Sequence, residues 1–411
     1  MIDKNTVMQA KDNVSLGLNV HVYPTTFEYE SRILKVTRAL IDNCFVNRIL
    51  IIAMAKAGLP DTQSVDGSRN VLRVKTRING NGLLLKILLF LEWSTRVIIQ
   101  LRHEAVDMVN CHSLSVLPLC TILKWWHKCI LVYEPHELET ETATSVGIRK
   151  PISKYIERIL IRHADLVIVV SDSIAEYYKS DYSLTDVMVI LNTPDIQAKY
   201  NPNSRILRDR FNIPDNHLVF IYEGMLEQSR GILWLLDAFR QVRPDRHLVL
   251  MGFGPMEEVI QKTSSSVTNI HAHPPVAPND VMKYTQGADV GFALLSDDCL
   301  NHQCALPNKL FHYLHAGLPV VVSDLVEMRT LVERYKCGWY VDNNPLSIAK
   351  CVASIDLEAV KIRQQGTKSA SNDLNWGRES ERIASIYRIL LEDKRNNKRD
   401  FVSGPSKKWR K

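Results

Sequence analysis

The chain has 411 residues, 45% hydrophobic and 23% charged, with a formal net charge of +6. That length exceeds a comfortable single core and predicts two globular domains, and the composition excludes a disordered or repeat chain. The basicity is concentrated: residues 394–411 hold eight Lys/Arg against Asp400, a net +7, which leaves −1 on residues 1–393 and predicts no nucleic-acid groove on the body.

Asp3, Lys4 and Asn5, with no apolar core after them, do not read as a signal peptide. Short apolar strands then alternate with longer amphipathic segments, the βαβ pattern of parallel sheets. Strands are predicted near 17–23, 48–53, 108–110, 130–133, 166–170 and 187–191, and helices near 30–43, 83–103, 116–124, 150–163 and 173–179. Leu83–Leu101 is the most hydrophobic run, but Lys86, Glu92 and Arg96 make it a poor membrane span. It reads as an amphipathic helix with Leu84, Leu88, Leu91, Thr95 and Ile98 on one stripe. Two alternatives stay open: a core helix, or a membrane-surface element with Lys86, Trp93, Arg96 and Arg102 at the headgroups.

A seam rich in Asn, Asp and Pro spans 192–216 and suits a linker. The pattern then restarts. Strands are predicted near 218–222, 247–251, 290–294, 320–322 and 338–341, and helices near 232–240, 255–262, 280–286, 307–315, 328–334 and 346–355. A last helix, 376–392, precedes the basic tail, which reads as a solvated end or as a weak anchor for anionic lipid. The eight cysteines show no C-x-x-C and no zinc spacing with histidine, and read as reduced residues of a cytosolic protein. Two doubly wound domains, 1–200 and 201–375, are thus expected to face each other across a cleft, with ligands outside the carboxyl ends of the strands.

The 306–323 stretch carries the most chemistry. Pro307 suits a first helical turn, Gly317 a left-handed cap, and Val320, Val321 and Val322 a buried strand. The helix start offers free N–H groups, a positive dipole end and Lys309, which together suit a diphosphate; an ordinary capped helix with a surface lysine reads equally well. Ile221–Leu226 is a strand with a glycine turn, followed by Arg230-Gly231 and a helix. Leu248–Pro255 is a second strand, ending in G-x-G-P.

At these residues the chain resembles the family-4 glycosyltransferases of GT-B fold. Glu30-Ser-Arg-Ile-Leu-Lys35 is similar to an early helix of that family, and Val132-Tyr-Glu-Pro-His-Glu-Leu138 to its "YDxHEL" segment. Val109–His112 stands where the family has a strand ending in His. Arg162–Ser171, Ile190–Pro194, Gly287–Phe292, Pro307–Phe311 and Ala316–Pro319 follow in the family's order. Asn375-Trp376 with Tyr387 resembles a closing helix that crosses back to the first domain, taken as 376–393.

The resemblance implies a fold of two Rossmann-like domains and transfer of a sugar, with retention, from a nucleotide-sugar co-substrate without an obligatory metal. It implies Arg230 and Lys309 on the departing diphosphate, Arg as a fork and Lys as a point charge, with His136 orienting the reacting sugar. Gly224, Gly252, Gly254, Val276, Asn308 and His312 would bind the donor. His112 is either a structural loop residue or an acceptor contact, and Glu134 with Glu137 a conceivable carboxylate pair. The expected acceptor is a glycan or lipid-linked sugar in surface polysaccharide assembly, in the cytoplasm with peripheral contact to anionic membrane. The pattern breaks where the family has two glutamates, here Cys304 and His312, and where it has an arginine, here Met225. A catalytically degenerate protein that binds nucleotide sugar or a partner enzyme is therefore the second expectation.

Overall fold

The computed structural model describes residues 15–402 except 29, 79, 81 and 196–203, with side chains to residue 396. The first half runs β1 (Leu16–Val22), α1 (Ser31–Asp42), β2 (Val46–Met54), β3 (Thr62–Ser64), β4 (Arg69–Val74), α2 (Leu83–Leu101), β5 (Val106–Cys111) and α3 (Leu117–His127). It continues β6 (Ile130–Tyr133), α4 (Arg149–Leu160), β7 (Leu166–Val169), α5 (Asp172–Tyr182) and β8 (Val187–Val189). The second half runs α6 (Ile206–Phe211), β9 (Leu218–Met225), α7 (Ile232–Phe239), β10 (Arg246–Phe253), α8 (Glu257–Ser264), β11 (Ile270–His273), α9 (Pro278–Thr285) and β12 (Val290–Ala293). Then come α10 (Leu300–Gln303), α11 (Asn308–His315), β13 (Val320–Ser323), α12 (Val326–Tyr335), β14 (Gly338–Val341), α13 (Pro345–Ser354), α14 (Leu357–Asp373) and α15 (Trp376–Val402).

The strands form two sheets, of order β3-β4-β2-β1-β5-β6-β7-β8 and β11-β10-β9-β12-β13-β14. All pairings are parallel except β3 with β4. Runs such as Val320–Val322 are buried on both faces, as parallel strands under helices must be. In the first sheet, Val20 and Val22 pack under the α2–α5 layer, while Ile49 and Ile51 pack under α1 and α15. Local signals set several boundaries. Ser171 caps α5 by accepting from Ile174 N–H, Asn344 caps α13 ahead of Pro345, and Gly317 (φ +77°) closes α11. Pro307 is the cap of α11 rather than its first residue, so Asn308 and Lys309 open the helix.

Two expectations are corrected here. Trp93 is fully buried and donates its indole N–H to Ala53 O, so it is a core residue rather than a headgroup anchor. With Val97 and Leu101 it forms the inward stripe of α2, and Leu84, Leu88 and Leu91 point outward, so the helix is no plain core helix. The predicted tail also begins as helix. α15 continues to Val402, and Lys394 pairs with Asp165 of the first half; residues 403–411, with Trp409, lie outside the described residues, as does the expected 200/201 boundary.

The chain crosses between the sheets twice, and both crossings meet at Lys35. Its ammonium donates to Asn192 Oδ1 (3.1 Å) and Thr193 O, and stands 4.8 Å over the Trp376 ring. Beyond Trp376, α15 lies back against α1, burying Ile383, Ala384 and Tyr387 with the first half. Elsewhere the halves touch through loops at strand carboxyl ends. Leu138 N–H donates to Asn301 Oδ1 (2.8 Å), Asn301 Nδ2 to Glu137 Oε2 (3.0 Å), and Ser171 Oγ to Cys304 O (2.7 Å).

Candidate active site

The carboxyl edge of the second sheet gathers the phosphate-side residues. Lys309, in the first turn of α11, is directed at the end of β9, where its ammonium lies 3.5 Å from the Tyr222 ring centroid. The group is fully buried and has no hydrogen-bond partner among the described residues. Burial, followed by the Arg230 charge, holds its pKa well below the ordinary lysine value. Arg230 ends the short 3₁₀ turn Gln228–Arg230 ahead of α7, half-exposed, and its field reaches both Lys309 and Tyr222. The two cations therefore occupy one side of one sheet edge. Glu223 and Glu227 oppose the effect of burial only in part, and a lysine buried against an aromatic face with no hydrogen-bond partner is expensive unless an anion completes it.

The glycines divide by cause. Gly224 (φ +108°) ends β9 beside Lys309, and a Cβ there would lie 3.8 Å from Lys309 Nζ, so the position leaves the backbone open next to the cation. Gly252 sits directly opposite Gly224 on β10, and a Cβ on it would lie 1.8 Å from Gly224 O. A Cβ on Gly254 would meet Leu226 O at 2.6 Å. Close strand approach thus accounts for Gly252 and Gly254. Val276 is half-buried in the β11–α9 loop against the second core. Asn308 accepts a hydrogen bond from Asn192 Nδ2 (2.9 Å), which ties the start of α11 to the first crossing.

His312 is not alone. Its Nδ1 lies 2.9 Å from Glu223 Oε1, and Glu223, buried at the end of β9, also accepts from Thr285 Oγ1. Sequence reading passed over Glu223. The available signal was an acid closing an otherwise apolar strand, since a buried carboxylate demands partners. Cys304 is buried within the core of the first half, and burial, with Glu327 nearby, pushes its thiol up to about 11. Met225 is exposed, with its carbonyl accepting from Tyr222 OH.

Across the gap, three imidazoles form a chain. His21 Nδ1 lies 2.8 Å from His112 Nε2, and His112 Nδ1 lies 3.2 Å from His136 Nε2. The His21 and His112 rings stack at 5.1 Å, and Tyr23 tilts against His136 at 5.2 Å. Burial depresses all three, His112 to about 3, so all are neutral at pH 7. A neutral chain has two proton orders. One strands an N–H at His21 Nε2, which is buried without a partner. The other leaves a lone pair there and places N–H on His112 Nδ1, 4.0 Å from Glu134 Oε2. The second order avoids the orphaned donor and faces the carboxylate with a proton. It makes His136 the Nδ1–H tautomer, a hydrogen-bond donor at the half-buried end of the chain.

His112 is buried and bonded on both ring nitrogens, so the structural alternative describes it and an acceptor contact does not. Glu134 and Glu137 do not form a pair. Glu134 is buried, accepting from Asn110 Nδ2 (2.6 Å) and Tyr387 OH (3.1 Å), while Glu137 is exposed and bonded to Asn301. Among the described residues, Asp298, Cys299 and His302 place three ligand-type atoms within 4.8 Å of one another. His302 Nδ1 is already engaged by Asp298 Oδ1 (2.9 Å) and Ser296 Oγ (3.1 Å), so local hydrogen bonds account for that cluster.

Residues 30–197 match the family described as Glycosyltransferase Family 4, and residues 217–355 match Glycosyl transferases group 1. Among solved structures, sucrose-phosphate synthase from Thermosynechococcus elongatus is similar at TM-score 0.77 and 14% identity, over 92% of this chain and 100% of that one. HepE of Anabaena in complex with UDP-glucose gives TM-score 0.68 at 14% identity, over 90% and 99%. WaaG, a glycosyltransferase involved in lipopolysaccharide biosynthesis, gives 0.61 at 13%, over 90% and 99%. No curated protein matches the chain by sequence. The second sheet and all of the first except β1 fall within matched segments, each half in its own place along the chain, and the protein belongs to the family-4 glycosyltransferases, enzymes of GT-B fold.

Proposed function

We propose that this glycosyltransferase moves a sugar from a UDP- or GDP-sugar to a glycan or lipid-linked sugar, with retention at the anomeric carbon, in assembly of a surface polysaccharide such as O-antigen, capsule or lipopolysaccharide. The observation that carries the reading is Lys309: a buried, unpartnered ammonium beside Arg230 at the open backbone of Gly224. That arrangement suits a dianionic diphosphate leaving group. In the transfer, the anomeric carbon–phosphate oxygen bond breaks as the acceptor hydroxyl oxygen bonds to the same face. The hydroxyl proton leaves with the diphosphate. Arg230 and Lys309 stabilise the charge that develops there, and His136 donates Nδ1–H to the sugar. His312, held by Glu223, presents Nε2 to donor hydroxyls, and no metal is required.

The named neighbours favour these choices: HepE was solved with UDP-glucose, and WaaG acts in lipopolysaccharide biosynthesis. We place the activity in the cytoplasm, at the inner face of the membrane. All eight cysteines are free, and no helix among the described residues is long and apolar enough to cross a bilayer. The test is turnover with a panel of sugar nucleotides and lipid-linked acceptors, with and without EDTA. Arg230→Ala and Lys309→Ala are each expected to lower kcat/KM by about 30- to 1,000-fold, the range for losing one transition-state donor of about 2–4 kcal/mol. Tight donor binding with no turnover on any acceptor would instead favour the degenerate reading, and loss of activity in EDTA would remove the metal-free mechanism.

A further inference from the structure

The α2–α3–α4 layer of the first half is built inside out. On α2, Leu84, Leu88 and Leu91 stand one turn apart and face solvent, while Trp93, Val97 and Leu101 hold the helix to the core. On α3, Trp125 and Trp126 are 57% and 62% exposed. On α4, Ile148, Ile152 and Tyr155 share an outward stripe, with Ile148 77% exposed. The inward side of α4 carries the charge instead: Glu157 is buried and accepts from the hydroxyls of Tyr133 (2.7 Å), Tyr178 (2.6 Å) and Tyr182 (2.6 Å). The three helices are neighbours, α3 touching both α2 and α4, and Trp125 packs edge-on against His163 just beyond α4. A soluble helix normally shows the reverse arrangement, so apolar side chains turned outward on three neighbouring helices mark a contact surface.

The charge of the same layer selects the partner. Residues 83–102, 117–128 and 148–163 hold ten Lys/Arg and two acids. Neither acid is free: Glu157 is inside, and Glu92 is taken by Arg96 and by the N–H groups of Arg77 and Ile78. Lys86, Arg102, Lys128, Arg149, Arg158 and Arg162 have no ion pair among the described residues, unlike Arg96, Lys124, Lys150 and Lys154. The last helix also arrives here. Asp165 binds both Lys124 of α3 and Lys394 of α15, so the basic C-terminal segment sets out from the edge of this layer. A second copy would bring like charge against like charge. Anionic headgroups would neutralise the cations, and indole and phenol side chains favour that boundary.

We propose that the α2–α3–α4 face docks the protein on an anionic lipid bilayer. The proposal gives the peripheral-membrane part of the reading above, on which it rests, a defined surface, and it stands apart from sugar transfer. It also replaces a single helix and a tail by three helices that the sequence did not bring together.

The experiment is flotation of the full chain with vesicles of phosphatidylglycerol and phosphatidylcholine, and with phosphatidylcholine alone, at low and high salt. Binding to the anionic vesicles is expected, at least tenfold weaker on the neutral ones and weakened by salt. Trp125→Ser/Trp126→Ser and Ile148→Asp/Ile152→Asp are each expected to weaken it tenfold or more, with donor hydrolysis unchanged. Brominated lipid should quench the tryptophan fluorescence of the wild type more than that of the Trp125→Ser/Trp126→Ser protein. No binding to anionic vesicles overturns the proposal, and so does binding that ignores both double variants. A wild-type dimer that dissociates in Trp125→Ser/Trp126→Ser also overturns it, because a second copy would then cover the face. Lys309→Ala separates the two readings: it should float like wild type while losing turnover, so either reading can fail without the other.

Discussion

Lys309 shows how far one residue departs from what stability alone would choose. A buried ammonium with no hydrogen-bond partner opposes folding, so Lys309→Met is expected to lower kcat/KM as far as Lys309→Ala does and yet raise stability by about 1–3 kcal/mol, read by denaturant unfolding. The pH dependence has a definite sign. The folded amine gives up its proton well below the ordinary lysine pKa, so the unfolded chain binds more protons between the two values. Stability of the ligand-free protein therefore rises with pH across that window, and Lys309→Met should flatten the rise. The histidine chain makes a second claim. His21→Phe removes the ring that anchors the proton order, freeing His136 to carry its proton on Nε2. The expected result is a fall in kcat of about tenfold, on the scale of one hydrogen bond, with donor KM little changed. ¹⁵N NMR should show His136 losing its Nδ1–H form, and His21→Asn, whose amide can donate from nearly the same place, should restore part of both. The three depressed pKa values also mean that stability falls as the pH drops below about 6.5, where the unfolded histidines take up protons that the folded ones refuse.

Among the elements, α4 gives the most direct test. Glu157 is its inward anchor, and Glu157→Ala would leave three buried phenols without their acceptor. A loss of about 3–5 kcal/mol is expected, as for breaking a buried charged cluster, seen in unfolding curves of the first half. How much of this was legible in the sequence differs from element to element. The strands of apolar β-branched residues were readable because burial on both faces leaves no ambiguity. β11 was not: Ile270-His-Ala-His273 shows histidine where a strand shows valine, because His271 stacks on His247 and Phe211. β3 and β4 were missed as an edge hairpin of mixed polarity. For α2 the period was right, the buried face was left open, and Trp93 was placed on the wrong side in the membrane-surface alternative. Its apolar residues occupy both sides, and no local rule says which stripe the core takes. At the site, Arg230, Lys309 and Gly224 announce themselves by type and position. Glu223 and His21 work only through partners 89 and 91 residues away, and distance along the chain hides such pairs.

At the scale of the whole molecule, both chain crossings between the two halves meet at one residue. Lys35 binds Asn192 and Thr193 on one crossing and covers Trp376 on the other, and burial lowers its pKa to about 8. Lys35→Ala is expected to widen the spread of interdomain distances in small-angle scattering and to weaken donor binding several-fold, about 1 kcal/mol. The consequence is mechanical. Two leaves hung on the same post would swing about it once the Asn301 and Cys304 contacts open, and a point near the axis travels little. Asn308 is bonded to Asn192 at that post, so the adjoining lysine stays almost still while the rest of the leaf moves. On such a swing the phosphate end of the site keeps its shape, and the breathing falls to the far side of the gap.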